Sequence, residues 1–200
     1  MPVTINGNGS ITGLSVGGLP DGSVDADTLA SNAVTTNKIA NSAVTPAKST
    51  ITSDLQFAQW RVNTPFGGGN VDPITNWTET SDKNVTLTES SGIFSFPSTG
   101  YWEIMMQMYG YKNTDNDNIE LHIMRTVNNS NYHTKSWAYS HMNNDDGGNL
   151  YVSIRASLVF DVTDTSNCKI KFKTINNTVN WAADSGVNNS YAIFKRLGDT

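Results

Sequence analysis

Cysteine is almost absent from this chain: Cys168 is the only one among 200 residues. That excludes an intrachain disulfide and any metal site built on cysteine pairs. Charge is also sparse, at 16% of residues, with a formal net charge of −5. The lysines and arginines are scattered. No basic stripe, zinc-finger spacing or strand-borne basic–aromatic motif is present, which argues against a nucleic-acid partner. No apolar run approaches the roughly 18 residues needed to cross a bilayer, so no membrane span is expected. The opening "MPVTINGNGS" lacks a basic stretch followed by an apolar run and does not read as a secretory signal. Synthesis in the cytoplasm is the expectation. What takes the place of charge is asparagine, serine and threonine, a composition that suits an all-β surface with many turns.

The first fifty-five residues differ from the rest. Residues 1–22 carry Gly7, Gly9, Gly13, Gly17, Gly18 and Gly22, with Ile5, Ile11, Leu14 and Leu19 between them. Glycine permits tight turns and close backbone approach. The segment reads as an extended anchoring strap laid on a partner, or as a flexible lead. Residues 23–55 nearly repeat every ten: "SVDADTLASN", "AVTTNKIANS" and "AVTPAKST" bring Val24, Val34 and Val44 into step. Leu29 and Ile39 fall in step between them, each followed by alanine. A repeat so short and so poor in apolar area cannot build its own core. These five residues are expected to meet identical neighbours, as in a stalk of three chains; a disordered linker is the plain alternative. Frequent Thr, Ser and Asn weaken a long helix here.

From residue 56 to 200 the pattern becomes short apolar alternations separated by Asn, Gly and Asp. "YWEIMMQMYGY" puts Trp102, Ile104, Met106 and Met108 on one face, with Tyr101, Glu103, Met105 and Gln107 on the other. "IELHIM" opposes Ile119, Leu121 and Ile123 to Glu120, His122 and Met124. "NVTLTE" at Asn84–Glu89 also alternates. "FAQWRV", "LYVSIRASLVFDV", "CKIKFKTI" and "SYAIFKRL" complete a strand series of eight to ten members, without a competing amphipathic helix. Two packed antiparallel sheets follow, as a jelly-roll β-sandwich or an immunoglobulin-like one. Met105 and Tyr109 leave apolar side chains on the outer side of a strand whose inner side is already apolar. A neighbouring subunit is one way to cover them.

"GIFSFPSTGYWEIMMQMYGY" at Gly92–Tyr111 resembles the signature region of the C1q and tumour-necrosis-factor-like jelly rolls. Phe94 and Phe96 lead to Gly100, and Trp102 stands where that family has its aromatic residue, one position beyond the residue after glycine. "NNSYAIFKRLG" resembles the final core strand of the same fold. The resemblance implies a homotrimer with the last strands and aromatic residues near the three-fold axis. "SNAVTTNKIANSAVTPAK" in turn resembles the decapeptide repeats of tail fibres and other virion proteins of bacterial viruses. Together they imply an extended stalk followed by a trimeric knob, shorter than a full fibre because only about three repeats are present.

No catalytic constellation stands out, and no cofactor is expected. His122, His133 and His141 lack metal-ligand spacing. Asp115, Asp117 and Glu120 in one loop, and Asp145 and Asp146 in another, offer oxygen ligands without an EF-hand arrangement; turn formation is the simpler role. Glu103 and Glu120 on neighbouring strands would be needed for a glycosidase pair. Tyr132, Trp137, Tyr139 and His141, amid asparagines, are the candidate contacts for a host-surface glycan or protein; core or subunit packing is the competing role for Trp137 and Tyr139. The expected function is therefore that of a virion component: a short homotrimeric tail fibre or spike, held to other virion proteins through residues 1–55. A capsid decoration protein is the alternative, and a carbohydrate-active enzyme comes last.

Overall fold

The computed structural model describes residues 4–5, 11–12, 31, 33–40, 43–44, 55–143, 147–176 and 178–200. The chain divides into two compact units, Met1–Thr50 and Ile51–Thr200. In the first, β1 (Thr4–Ile5) pairs antiparallel with β2 (Ile11–Thr12). One 3-10 turn spans Thr36–Lys38, and the Lys38 ammonium donates to the Ala33 carbonyl at 2.6 Å. Val34, Ile39 and Val44 are exposed, Val34 by 56% and Val44 by 55%. Val24 and Leu29 lie outside the described residues.

The second unit is a two-sheet sandwich. Its strands are β3 (Gln56–Val62), β4 (Trp77–Lys83), β5 (Thr88–Ser90), β6 (Ile93–Ser95), β7 (Gly100–Lys112), β8 (Asn116–Thr126), β9 (His133–Met142), β10 (Leu150–Val162), β11 (Lys169–Asn176), β12 (Asn180–Trp181) and β13 (Tyr191–Gly198). One sheet has the order β10-β7-β13-β3-β4, with β12 also on β7; the other is β5-β6-β11-β8-β9. Every ladder is antiparallel. The chain crosses between sheets from β4 to β5, β6 to β7, β7 to β8, β9 to β10, β10 to β11 and β11 to β12, which is jelly-roll connectivity rather than immunoglobulin-like.

Period-two patterning explains why these segments pair and which side they bury. On β7, Trp102, Ile104, Met106 and Met108 are fully buried. On the facing sheet Ile119, Leu121, Ile123, Ile170 and Phe172 are equally buried. Between the layers Phe94 is ringed by Trp60, Trp77, Phe172 and Phe194, with centroids 4.9–5.6 Å away. Each buried aromatic of this kind contributes about 2–3 kcal/mol of transfer free energy.

Gly100 begins β7 at φ 133°. A β-carbon there would press on the Gly198 carbonyl oxygen. The glycine of the signature segment is thus fixed by the close approach of the last strand.

One local reading changes. Only Thr88–Ser90 of the "NVTLTE" region joins a ladder. Val85 and Leu87 are nonetheless buried, so the alternation there reports burial without strand pairing. Asn84, at φ 54°, breaks the chain away from β4. β4 itself carries no apolar alternation, because an edge strand is half solvated and uses charge to discourage further pairing.

Candidate functional site

The site is built on β9, an edge strand. β8 supplies its only ladder partner among the described residues, with Trp137 opposite His122 and Tyr139 opposite Glu120. Trp137, Tyr139 and His141 alternate with the inward Ser136, Ala138 and Ser140, and so point away from the core. Trp137 is 58% exposed and Tyr139 54% exposed. Neither is a core residue of the single chain.

Behind Trp137 lies a hydrogen-bonded support. The His122 ring stacks on the indole, with centroids 6.0 Å apart and planes 26° from parallel. His122 Nε2 lies 2.6 Å from Glu120 Oε2, and Nδ1 lies 3.1 Å from Thr134 Oγ1. Both imidazole nitrogens are occupied, so the ring is held at a fixed angle beneath the indole. Lys173 pairs with His122 across the β11–β8 ladder. Lys171 Nζ is 2.6 Å from Asp72, and Lys173 Nζ is 3.9 Å from the same carboxylate. A platform results: one exposed indole and one exposed phenol, flanked by a carboxylate–imidazole pair and two lysines. Rings of this kind stack on apolar sugar faces, and the polar border can hydrogen-bond hydroxyls.

Tyr132 stands apart from the other three candidates. It is half-buried beneath Lys171, whose ammonium lies 4.8 Å from the ring centroid. Burial raises the pKa of its hydroxyl above the ordinary phenol value. Trp137, Tyr139 and His141 share a face, whereas Tyr132 borders it. Nothing in the sequence marks Thr134 or joins His122 and Glu120 to Trp137. Their alternation was visible; the β8–β9 register that joins them was not.

Glu103 and Glu120 do not sit on neighbouring strands. Glu103 is on β7 in one sheet and Glu120 on β8 in the other, each on the outward side, so they cannot flank one glycosidic bond. Among the described residues, no group of three or more His, Cys, Asp or Glu could hold a metal ion. Asp145 and Asp146 lie outside the described residues.

The opposite sheet has an outward face of another kind. Met105, Tyr109 and Ile193 are half-buried there, while Tyr101, Tyr111, Tyr151, Val159 and Leu197 are exposed. Tyr109 and Tyr151 stack in parallel at 6.1 Å. A cleft of about 250 Å³ is lined by Met105, Ile193, Glu103, Arg155 and Lys195.

No protein-family model and no curated protein sequence matches the chain. Solved structures do. Murine APRIL, in a crystal structure at pH 5.0, superposes with a TM-score of 0.56 at 14% identity, covering 72% of this chain and 100% of that one. The Eiger TNF of S. frugiperda superposes with a TM-score of 0.58 at 14% identity, covering 73% and 94% respectively. At that identity the likeness is one of fold: the second unit has the jelly-roll fold of these structures.

Proposed function

We propose that the chain is a virion structural protein, a short homotrimeric tail fibre or spike whose jelly-roll knob touches the host surface. The observation that carries this reading is the contrast between the two outward faces of one sandwich. The β10-β7-β13-β3-β4 face presents a tyrosine-rich surface in which Met105, Ile193 and Val159 lie among Glu103, Arg155 and Lys195, suited to a second and third copy of itself. The β9 face presents Trp137 and Tyr139 on a fixed polar support, suited to a glycan or protein on a cell. Three copies about one axis would multiply a weak contact into a firm one. The exposed Val34, Ile39 and Val44 fit a stalk in which each chain covers the others' apolar row. The likeness of that stalk to virion repeats supplies the setting, with residues 1–55 held by other virion proteins.

Sedimentation of the full chain, paired with electron cryo-microscopy of the particle carrying it, tests the reading. The expected results are a trimer in solution and a three-fold knob at the tail or baseplate. Density woven across the shell would assign the chain to capsid decoration instead, and a monomer in solution would remove the trimer. Adsorption to host cells is expected to fall in the Trp137→Ala, Tyr139→Ala double variant while the trimer persists.

A further inference from the structure

A second cleft opens where β8 turns into β9, away from the indole platform. It measures about 150 Å³ and is lined by Arg125, Val127, Asn128, Asn131, His133 and Lys135. Three of those six side chains are basic and two are amides; none is a carboxylate. In a chain of net charge −5 this local balance is opposite to the molecule's. Arg125, His133 and Lys135 form no salt bridge among the described residues.

The loop that frames the cleft is tightly held. Asn128 Oδ1 accepts from Thr126 Oγ1 at 2.8 Å, from the Ser130 amide and hydroxyl at 3.2 Å, and from the Asn131 amide at 2.9 Å. With its oxygen consumed, Asn128 keeps only its NH₂ group to offer. Asn129, at φ 55°, donates its backbone amide to the Asn167 carbonyl at 3.0 Å, which ties the loop to the β10–β11 turn. The Arg125 guanidinium lies over the Phe160 ring, 5.0 Å from its centroid. That contact holds the guanidinium against the ring, and Arg125 has no carboxylate partner among the described residues. The cleft therefore gathers hydrogen-bond donors and positive charge on a backbone that need not reorganise.

We propose that this cleft binds an oxyanion group, a carboxylate or sulfate carried by an acidic polysaccharide. Its volume matches about five waters, enough for such a group with some of its hydration but not for a longer saccharide. The rest of the chain must lie outside, and β9 offers a path. From His133 to Trp137 the strand advances about 13 Å, so an acidic sugar chain anchored at the cleft has an aromatic platform within reach. The choice of a polysaccharide as carrier rests on the attachment reading; the oxyanion chemistry rests on the cleft alone.

Binding of the full chain to surfaces of dextran sulfate and of unmodified dextran tests the proposal, since these carriers differ only in their sulfate esters. The expected result is binding to dextran sulfate alone. Lys135→Gln and Arg125→Gln are each expected to weaken it about tenfold, the worth of one charge-assisted hydrogen bond. Lys83→Gln, an exposed lysine on β4, is expected to change nothing. Lys135 is exposed, so its variant tests the cleft even if Arg125→Gln disturbs packing on Phe160. Equal binding to both carriers, full binding by Lys135→Gln, or an equal loss in Lys83→Gln would overturn the proposal. Displacement by inorganic sulfate as effective as soluble dextran sulfate, at equal sulfate concentration, would overturn the polysaccharide carrier and leave a free-ion site. The measurement uses no cells, so its failure and a failure of host attachment are read separately.

Discussion

At position 100 one added methyl group tests the signature segment directly. Gly100 combines φ 133° with a backbone oxygen where the β-carbon would go, and Arg196 donates twice to the neighbouring Thr99 carbonyl, at 3.0 and 3.1 Å. Neither backbone can retreat without breaking the β7–β13 ladder. Gly100→Ala is expected to lower stability by roughly 2–4 kcal/mol, seen as a lower urea midpoint at unchanged slope; an unmoved midpoint would remove the steric account. Asp164 is a second residue with a readable consequence. Its Oδ2 accepts from the Asn167 side-chain amide at 2.6 Å, and its Oδ1 accepts from the Ser166 amide at 2.7 Å and the Asn167 amide at 3.3 Å. These bonds, the Asn167 side chain foremost, hold its pKa below the ordinary 3.8. A carboxylate with a depressed folded pKa contributes stability above its unfolded value, and that contribution is lost as pH falls through the folded one. Below pH 3.8, wild-type stability should therefore fall more steeply than that of Asp164→Asn in urea midpoints measured against pH. Parallel curves would show that the turn does not titrate with folding.

Strands decide what a given side chain is for. Trp102 on β7 and Trp137 on β9 are the same residue in the same period-two setting, yet one is fully buried and the other 58% exposed. Trp102→Ala should cost about 3–5 kcal/mol, whereas Trp137→Ala should stay within about 1 kcal/mol. Thermal or urea unfolding of the two variants separates them, and comparable losses would mean that the β9 platform is structural. The alternation on β7, β8, β10, β11 and β13 was legible in the sequence because each buries one side against the other layer. The choice between core and surface for Trp137 was not, since β9 lies at an edge and the inward residues flanking Trp137 and Tyr139 are only serine and alanine. β4 was illegible for the related reason that its side chains are mostly polar. The union of Trp137 with His122 depends on a ladder whose register shifts between Ile123 and Met124, and local patterning carries no trace of such a shift.

For the molecule as a whole, the two units have unequal means of standing alone. Residues 51–200 contain the described hydrophobic core, from Ala58 through Phe194, closed between two sheets. In the unit formed by residues 1–50, Val34, Ile39 and Val44 are exposed, so a single copy gains little from burying them. Residues 51–200 are accordingly expected to unfold cooperatively by themselves, whereas an isolated 1–50 segment should show no cooperative transition at low concentration. The proposed self-association would add a concentration term, because any assembly that binds only folded chains raises the apparent stability by mass action. The melting temperature of the full chain should therefore rise with protein concentration. Met105→Glu, in the middle of the outward β7 face and opposite Ile193 on β13, should flatten that dependence while leaving a folded monomer. Met105 is only half-buried in the single chain, so a carboxylate there meets water in the monomer and apolar surface only in the assembly. A variant that retained both its assembly state and the slope would place the contact between copies on some other face of the sandwich.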